Sequence, residues 1–395
     1  MDQKIQIKYN AIVIFFYSLC AVANAWLAFA SVQYSALYAS VVAFIVYATV
    51  PVGLIYILTK GRVNTENVRL LILPVLYWLF LILHTYGGYS GDWIVSLVAV
   101  SGFLLMNRDI KSAIFRGFYW IVQVNNIISI LMYLCYILNF NIGFSNVPFY
   151  TEEASLAGFY YIKWGIFAIA SNGLNLRLCG IFNEAGALGT VCALLFVATF
   201  RNNKLWEKVL LIVTTFLTFS LAGYLLIFLY LSAYLLRKNK KNIIWLVIIV
   251  GIFLAIPNIN WGNDSLNLIA SRFAITDGGL AGDNRTTAVF DARYDEFIKS
   301  GQAWLGHGAG YRLADATSTY KSYIVEFGFV GFVLLMIAWV SQSLRMAKKD
   351  KDCLLLIIIF MISLYQRPLA ITSLFGYVAL FGGMAFIQEC REKIT

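Results

Sequence analysis

The sequence predicts an all-α, polytopic integral membrane protein with about 12 transmembrane helices. Of its 395 residues, 61% are hydrophobic and only 13% are charged, whereas soluble domains are about 45–50% apolar and about a quarter charged. A third observation is the recurrence of apolar runs near the roughly 20 residues that a helix needs to cross a bilayer. A large external loop, predicted to be partly helical, separates the ninth run from the tenth.

Twelve apolar runs follow one another along a single polytopic domain, residues 1–395. They cover residues 11–31, 37–58, 70–84, 93–106, 117–139, 185–200, 209–221, 222–236, 243–257, 323–341, 353–365 and 369–386. The stretch 206–236 is too long for one span and short for two. It is divided near residues 220–223 because basic segments, predicted to be cytoplasmic, flank both of its ends.

The first run has two interpretations. Ala23-Asn-Ala25 follows a basic start and an apolar segment, which also fits a signal-peptide cleavage site. Cleavage would leave the remaining topology unchanged. We interpret the segment as a retained span.

The net charge of +10 is interpreted through the positive-inside rule and not as nucleic-acid binding. With both termini in the cytoplasm, 21 of the 30 Lys and Arg residues lie inside and the other nine outside. The nine external residues are Lys163, Arg177, Arg272, Arg285, Arg293, Lys299, Arg312, Lys321 and Arg367. This bias over mostly short loops favours a multi-pass protein of a cytoplasmic membrane.

Cysteine and histidine usage predicts neither a disulfide framework nor a metal site. The six cysteines are scattered without paired or metal-type spacing, and none lies in the largest polar loop. The only histidines are His84 and His307, which argues against a histidine-rich metal site. We expect no cofactor.

Two external regions are large, residues 141–184 and 258–322. The first is aromatic and is expected to lie along the membrane interface. The second is long enough to suggest a function. Its stretch 286–300 is predicted to be helical, since Ala288, Phe290, Tyr294 and Phe297 recur at helical spacing.

The stretch from Arg177 to Gly189 places an arginine and Glu184 at the start of an apolar run, where charge is costly. Glu184 is a candidate general base. It also fits a first-turn acid that follows an Asn183 cap and is stabilised by the helix dipole. For Arg177 the residues suggest no structural role beyond solvation.

The second loop holds further candidates. Arg285 opens the predicted helix, where a guanidinium and backbone N–H groups suit a phosphate; it also fits a surface ion pair with Asp283 or Asp291. Solvation is the structural interpretation of Arg293 and Arg312. His307 lies in a glycine-rich turn and is either a general base or a structural turn residue.

Glu326 begins another apolar run, and Gly328 and Gly331 follow it on nearly one face, which predicts close helix packing beside a polar cavity. The same sequence pattern also fits a buried Glu326 carboxylate that only hydrogen-bonds a neighbouring helix or loop. Arg367, on a tight external turn, is placed to face either the same cavity or the lipid headgroups.

These motifs resemble the bacterial O-antigen polymerase and O-antigen ligase superfamily. The resemblance covers roughly residues 170–335 in motifs and the whole chain in topology. It rests on Arg177-Leu-x-Gly-x-Phe-x-Glu-Ala-Gly-x-x-Gly189, Leu217-Thr-Phe-Ser-Leu-Ala-Gly223, Leu305-Gly-x-Gly-x-Gly310, and the Tyr320-x-x-x-x-x-Glu326-x-Gly-x-x-Gly331 pattern.

The resemblance implies a metal-independent glycosyltransferase that polymerises oligosaccharide repeat units from undecaprenyl pyrophosphate into O-antigen or capsule. Its partners would be the lipid-linked oligosaccharides, the bilayer and a chain-length regulator protein, with no nucleic acid. Arginines would stabilise the diphosphate leaving group, and a carboxylate or histidine would deprotonate a sugar hydroxyl. We assign Arg177 and Arg285, then Arg293 and Arg312, to the diphosphate, and prefer Glu184 or Glu326 over His307 as base. Tyr320 and Gly189 support the site.

The chain departs from the family pattern in two ways. Some polymerases place a glycine eleven positions after an external arginine, but Leu188 stands there after Arg177, and Glu296 and Trp304 follow Arg285 and Arg293 at that spacing. The ligases carry a histidine–asparagine pair where this chain has Thr317-Ser-Thr-Tyr320. Polymerase is therefore favoured by elimination, with ligase as one alternative. A lipid-linked oligosaccharide flippase is the other, although the predicted spans are nearly free of mid-membrane charge.

Overall fold

The structure is a computed structural model. It describes residues 3–23, 25, 36–60, 65–87, 91–140, 142–149, 155, 158–171, 173, 175–239, 241, 243–244, 251, 255–260, 262, 267, 270–271, 274–276, 279–280, 288–311, 319–348, 350–366 and 373–393.

Helices dominate these residues, which confirms the predicted predominance of helix. The helices are α1 (Gln3–Ala23), α2 (Ala36–Lys60), α3 (Thr65–Leu70), α4 (Ile72–Leu83), α5 (Gly91–Leu105), α6 (Arg108–Ile137), α7 (Ala185–Thr199), α8 (Leu205–Leu217), α9 (Leu221–Lys238), α10 (Ala288–Lys299), α11 (Tyr320–Ala347), α12 (Lys351–Gln366), α13 (Leu374–Tyr377) and α14 (Gly383–Glu392). A π-helical segment, Val378–Gly382, joins α13 to α14, and short 3₁₀ turns occupy Ile256–Asn258 and Gly301–Trp304.

Within the described ranges, four helical segments are long and apolar enough to cross a membrane: Ala39–Thr59, Arg108–Ile137, Leu221–Lys238 and Tyr320–Ala347. Their composition fits the membrane class predicted from the sequence. The stretch that the sequence analysis divided near residues 220–223 is indeed two helices, α8 and α9. Most of the predicted span 243–257 lies outside the described residues, so the total of 12 spans stays a prediction.

Helix α7 lies at the centre of the bundle, and every one of its residues is buried. It packs against α8, α9, α12 and α14. A helix that is apolar around its whole circumference requires apolar neighbours on all sides, and α7 has them. The fold therefore builds its core around the helix that begins directly after Glu184.

The prediction of an all-α protein is wrong for residues 145–180. The chain there forms a four-stranded antiparallel sheet in the order β1 (Ser145–Pro148), β2 (Tyr160–Trp164), β3 (Phe167–Ser171) and β4 (Leu176–Gly180). Gly165 and Gly173 adopt positive φ values of 58° and 81° in the turns between strands, a conformation that glycine reaches without steric cost. The described part of the first large loop is thus mainly a sheet, and its last strand leads into α7. A two-stranded hairpin, β5 (Ile275–Thr276) and β6 (Gly279–Leu280), lies in the second loop.

Helix α10 confirms the helix predicted over residues 286–300, as far as the structure describes that stretch. Phe290, Tyr294 and Phe297 are buried in a small aromatic core against α11. The remaining face of α10 is largely exposed. The helix therefore attaches to the N-terminal end of α11 through the aromatic residues whose spacing predicted it.

Ion pairs tie together the ends of several helices. Two pairs join the N-terminal part of α6 to the end of α14. Two more join the ends of α7 and α9 to the start of α12, and the fifth joins the end of α14 to the turn between α11 and α12. The pairs are Arg108–Glu392, Arg116–Glu389, Arg201–Asp352, Arg237–Asp352 and Arg391–Asp350. These helix ends consequently lie on one side of the bundle. The glycine-rich turn at residues 305–310 lies at the opposite side, where α4 ends and α11 begins.

Candidate functional site

Arg177 lies on β4 and reaches the break between α8 and α9. Its Nε donates to the Thr218 carbonyl at 3.1 Å and its Nη2 to the Phe219 carbonyl at 3.4 Å. These carbonyls belong to the last turn of α8 and to the bend after it, where Phe219 has a φ of +48°. A cation at a helix C-terminus satisfies orphan carbonyls and favours the helix dipole. Arg177 therefore has a structural role that its sequence context did not reveal.

Asn125 on α6 receives the chain as it leaves the sheet. Its Oδ1 accepts hydrogen bonds from the Ile181 backbone N–H at 3.0 Å and from the Ser129 hydroxyl at 3.2 Å. Gly180 has a φ of +60°, and a Cβ there would lie 2.5 Å from the same Oδ1. The sequence did carry a signal for this contact, because buried polar residues inside an apolar span need partners.

Glu184 is itself the N-cap residue of α7, with φ −138° and ψ 140°, and its side chain makes no capping hydrogen bond. The prediction of an Asn183 cap is wrong, because Glu184 occupies the N-cap position. The Asn183 backbone carbonyl accepts a hydrogen bond from the Tyr161 hydroxyl on β2. Burial raises the pKa of Cys179 to about 12; the charge of Arg177 opposes this shift and that of Glu184 adds to it. Both charged groups therefore act on the same buried thiol at the end of β4.

Gly189 marks a close crossing between α7 and the α8–α9 break. A Cβ on Gly189 would lie 2.6 Å from the Ser220 Cβ, and one on Gly223 would lie 2.9 Å from the Gly189 carbonyl oxygen. Small residues allow such close backbone approach. The Arg177–Gly189 motif and the Leu217–Gly223 motif thus form one assembly, in which Arg177, Glu184 and Gly189 surround the start of α7.

A second assembly forms where α11 is broken. Gly328 has φ 67° and ψ 175°, so the helix is interrupted eight residues after its start at Tyr320. The glycine turn, residues 305–310, fills the break: the His307 N–H donates to the Val325 carbonyl at 2.8 Å and the Gly308 N–H to the Glu326 carbonyl at 3.0 Å. Carbonyls freed by the interruption are thereby satisfied.

The two glycines that meet at this break leave no room for side chains. A Cβ on Gly306 would lie 2.4 Å from the Glu326 carbonyl oxygen, and one on Gly328 would lie 2.3 Å from the Trp304 carbonyl oxygen. The prediction that Gly328 serves helix packing is therefore wrong, because it breaks the helix instead. Gly331 does serve packing, since a Cβ there would touch the Phe80 ring of α4 at 3.2 Å.

The Glu326 carboxylate is half-buried beside the same turn. Its Oε2 accepts a hydrogen bond from the Gly310 N–H at 3.2 Å. The end of α4 holds the turn from the other side: the Ala309 N–H donates to the His84 carbonyl at 3.0 Å. The His84 Nε2 lies 3.0 Å from the Gly306 carbonyl oxygen, so this nitrogen carries the proton. His84 is a residue of this assembly that sequence reasoning used only to argue against a metal.

The His307 ring lies in an aromatic row. Its centroid is 4.2 Å from that of Tyr311 and 5.1 Å from that of Phe297. Burial lowers the pKa of His307 below its ordinary value, and the nearby His84 lowers it further. The neutral imidazole is therefore favoured at neutral pH, and only that form can accept a proton.

The remaining predicted residues are distributed unevenly. The Tyr320 ring stacks on Tyr365 with centroids 4.6 Å apart. Lys321 forms an ion pair with Asp291 at 2.6 Å, and Arg293 on α10 is exposed. Of the remaining external arginines, Arg272, Arg285, Arg312 and Arg367 lie outside the described residues.

The described contacts thus gather Arg177, Glu184 and Gly189 into one assembly and His307 and Glu326 into another. One surrounds the start of α7, and the other surrounds the break in α11. The chain matches no family model, no curated protein and no solved structure in the three comparisons made.

Proposed function

We propose that the protein is an integral membrane glycosyltransferase that polymerises lipid-linked oligosaccharide repeat units on the external face of the bacterial cytoplasmic membrane. The observation that carries this proposal is the Glu326 carboxylate, presented at a break in an apolar helix and held by the glycine turn. Ionisable groups inside apolar helices are costly and mark functional sites. Here the break leaves the carboxylate half-exposed beside a turn that carries a neutral histidine.

The ion pairs support the part of the proposed topology that places one set of helix ends, with the C-terminus, in the cytoplasm. All five that tie the helix ends join residues that the positive-inside rule assigns to the cytoplasm. Lys321 and Asp291, which the same rule assigns to the outside, pair with each other beside the glycine turn. The arrangement agrees with an active site at the external ends of α4 and α11.

The proposed reaction transfers a glycan from undecaprenyl pyrophosphate to the terminal sugar of a lipid-linked acceptor. An acceptor hydroxyl gives its proton to a base as its oxygen bonds to the anomeric carbon of the donor. The bond from that carbon to the diphosphate oxygen breaks, and its electron pair leaves with the diphosphate. Glu326 is the base that we favour, because the Gly310 N–H orients its carboxylate.

Arginines serve the leaving group in this scheme. The guanidinium of Arg177 on β4 is held in one orientation, because it donates hydrogen bonds to the Thr218 and Phe219 carbonyls. Arg285, Arg293 and Arg312 belong to the second external loop and complete the proposed diphosphate site. Glu184, on the α7 assembly, is the alternative base.

The decisive experiment complements a deletion strain with the wild type, E326Q, R177A or the control E296Q. Glu296 is an exposed acid on α10 and should be dispensable. We expect E326Q to reach normal membrane levels but to abolish the long-chain glycan ladder, while E296Q retains it. R177A should also abolish the ladder, and thermal unfolding of R177A measures how much of that loss comes from the two carbonyl contacts that it removes. A normal ladder from E326Q would discard Glu326 as the base.

The deletion strain tests the function itself. Loss of a polymerase should leave single lipid-linked repeat units on the external face. Accumulation inside would indicate a flippase, and accumulation of long chains still attached to the lipid carrier would indicate a ligase. A deletion strain with unchanged glycan would refute all three.

A further inference from the structure

Two tyrosines extend the aromatic row beside Glu326. The Tyr86 and Tyr311 rings meet edge to face, with centroids 4.8 Å apart and an interplanar angle of 86°. Tyr311 in turn stacks on His307 at 4.2 Å. Tyr86 is 57% exposed although it belongs to this row. Whichever ring contributes the edge, at least one face of Tyr86 is covered by neither Tyr311 nor His307.

Backbone hydrogen bonds hold the row in place. The Tyr86 N–H donates to the Ala309 carbonyl at 3.0 Å, and the Tyr311 N–H donates to the Gly308 carbonyl at 3.2 Å. The same turn supplies the Gly310 N–H that orients Glu326. One short segment therefore fixes both an aromatic surface and a carboxylate, so that a ligand spanning them would meet a preorganised site.

A pyranose ring has the chemistry that this surface fits. Its C–H bonds form an apolar face with slightly positive hydrogens, which complements the negative face of a tyrosine ring. Its hydroxyl groups lie at the rim, where a carboxylate or a neutral imidazole can accept their hydrogen bonds. A lipid chain would use the aromatic face and would leave the carboxylate without a matching group.

We propose that the open face of Tyr86, supported by the perpendicular ring of Tyr311, forms a platform for a sugar ring of the acceptor glycan, with a hydroxyl of that ring directed to Glu326. This inference rests on the proposed function, since it assigns the acceptor half of the site to one surface. It adds Tyr86 as a sugar-stacking residue and Tyr311 as the residue that positions its ring.

Binding is measured with the full-length chain in lipid nanodiscs. The probe is the water-soluble oligosaccharide that mild acid releases from the lipid-linked repeat units of the cells. The variants are Y86F, Y86L, Y311L and the control W164L, which removes an exposed aromatic ring from β2. Thermal unfolding of each variant checks that the fold is retained. Y86L is the reference variant, because the Tyr86 side chain that it replaces is exposed.

We expect Y86F to bind within about twofold of the wild type, because it keeps the ring. Y86L and Y311L should weaken binding at least tenfold, and W164L should leave it unchanged. Wild-type-like binding by Y86L, an equal loss in W164L, or no binding by the wild-type protein would each overturn the platform. The two proposals fail separately: sugar binding without any effect of gene deletion on the glycan refutes the polymerase, whereas polymerisation without platform-dependent binding refutes the platform.

Discussion

Replacement of Gly328 by alanine tests the interpretation of the helix break most directly. The backbone there, at φ 67° and ψ 175°, lies in a region that is essentially reserved for glycine and costs other residues about 1–3 kcal/mol. The new Cβ would also lie 2.3 Å from the Trp304 carbonyl oxygen and 2.5 Å from the Gly306 nitrogen. Both are backbone atoms, so relief requires the turn to move, at about 1–3 kcal/mol for an overpacked site. We expect G328A to lose about 2–6 kcal/mol of unfolding free energy.

The assay is reversible unfolding in detergent, with G301A as the matched control. Gly301 precedes the same turn, and a Cβ there would meet no atom within 4 Å, so G301A should change stability by less than about 0.5 kcal/mol. The double variant G306A/G328A should cost less than the sum of the two single variants, because either Cβ alone already separates the turn from the helix. Equal stability of G328A and G301A would refute the proposed break.

Two further predictions concern other parts of the bundle. N125A should lose about 1–3 kcal/mol of unfolding free energy, because the buried Ile181 N–H loses its acceptor. The control N202A replaces an exposed asparagine and should be neutral. Equal melting curves of the two variants would contradict the role of Asn125 in holding the chain at Ile181. For Glu389, burial acts to raise the pKa, but hydrogen bonds from Lys393 and Ser112 and the charge of Arg116 outweigh it, so the pKa lies below its ordinary value. A carboxyl whose folded-state pKa is lowered contributes stability above its unfolded pKa of about 4.3 and loses it as the pH falls through the folded value. The acid unfolding profile should therefore flatten below pH ~4.3 in E389Q, and an unchanged profile would exclude this contribution.

The parts of the fold that sequence reasoning predicted correctly depend on local order. The break between α8 and α9 was placed within a few residues because basic segments flank the pair. The buried face of α10 was predicted because Phe290, Tyr294 and Phe297 recur at helical spacing. Hydrogen bonds within a helix join residues four apart, so a short window of sequence contains the information that specifies it.

The errors concern contacts between distant residues. The sheet was missed because its five-residue strands β2 and β3 are stabilised by pairing across the sheet, and their aromatic residues were interpreted as an interface signal. A glycine in an apolar helix either allows close packing or breaks the helix, and Gly328 was interpreted as a packing glycine. Its contact with Gly306, which is distant in sequence, shows that it breaks the helix. Arg177 was assigned no structural role, since the carbonyls that it caps belong to another helix.

Taken alone, the sequence determined the predominance of helix, the apolar composition of the long helices and the positions of the motif residues along the chain. Each of these follows from composition or from short-range periodicity. Tertiary structure decided that the Arg177 and Leu217 motifs form one assembly and that the glycine turn and Glu326 form another. It did so because a break in a helix leaves backbone groups unsatisfied, and only a segment distant in sequence can reach them.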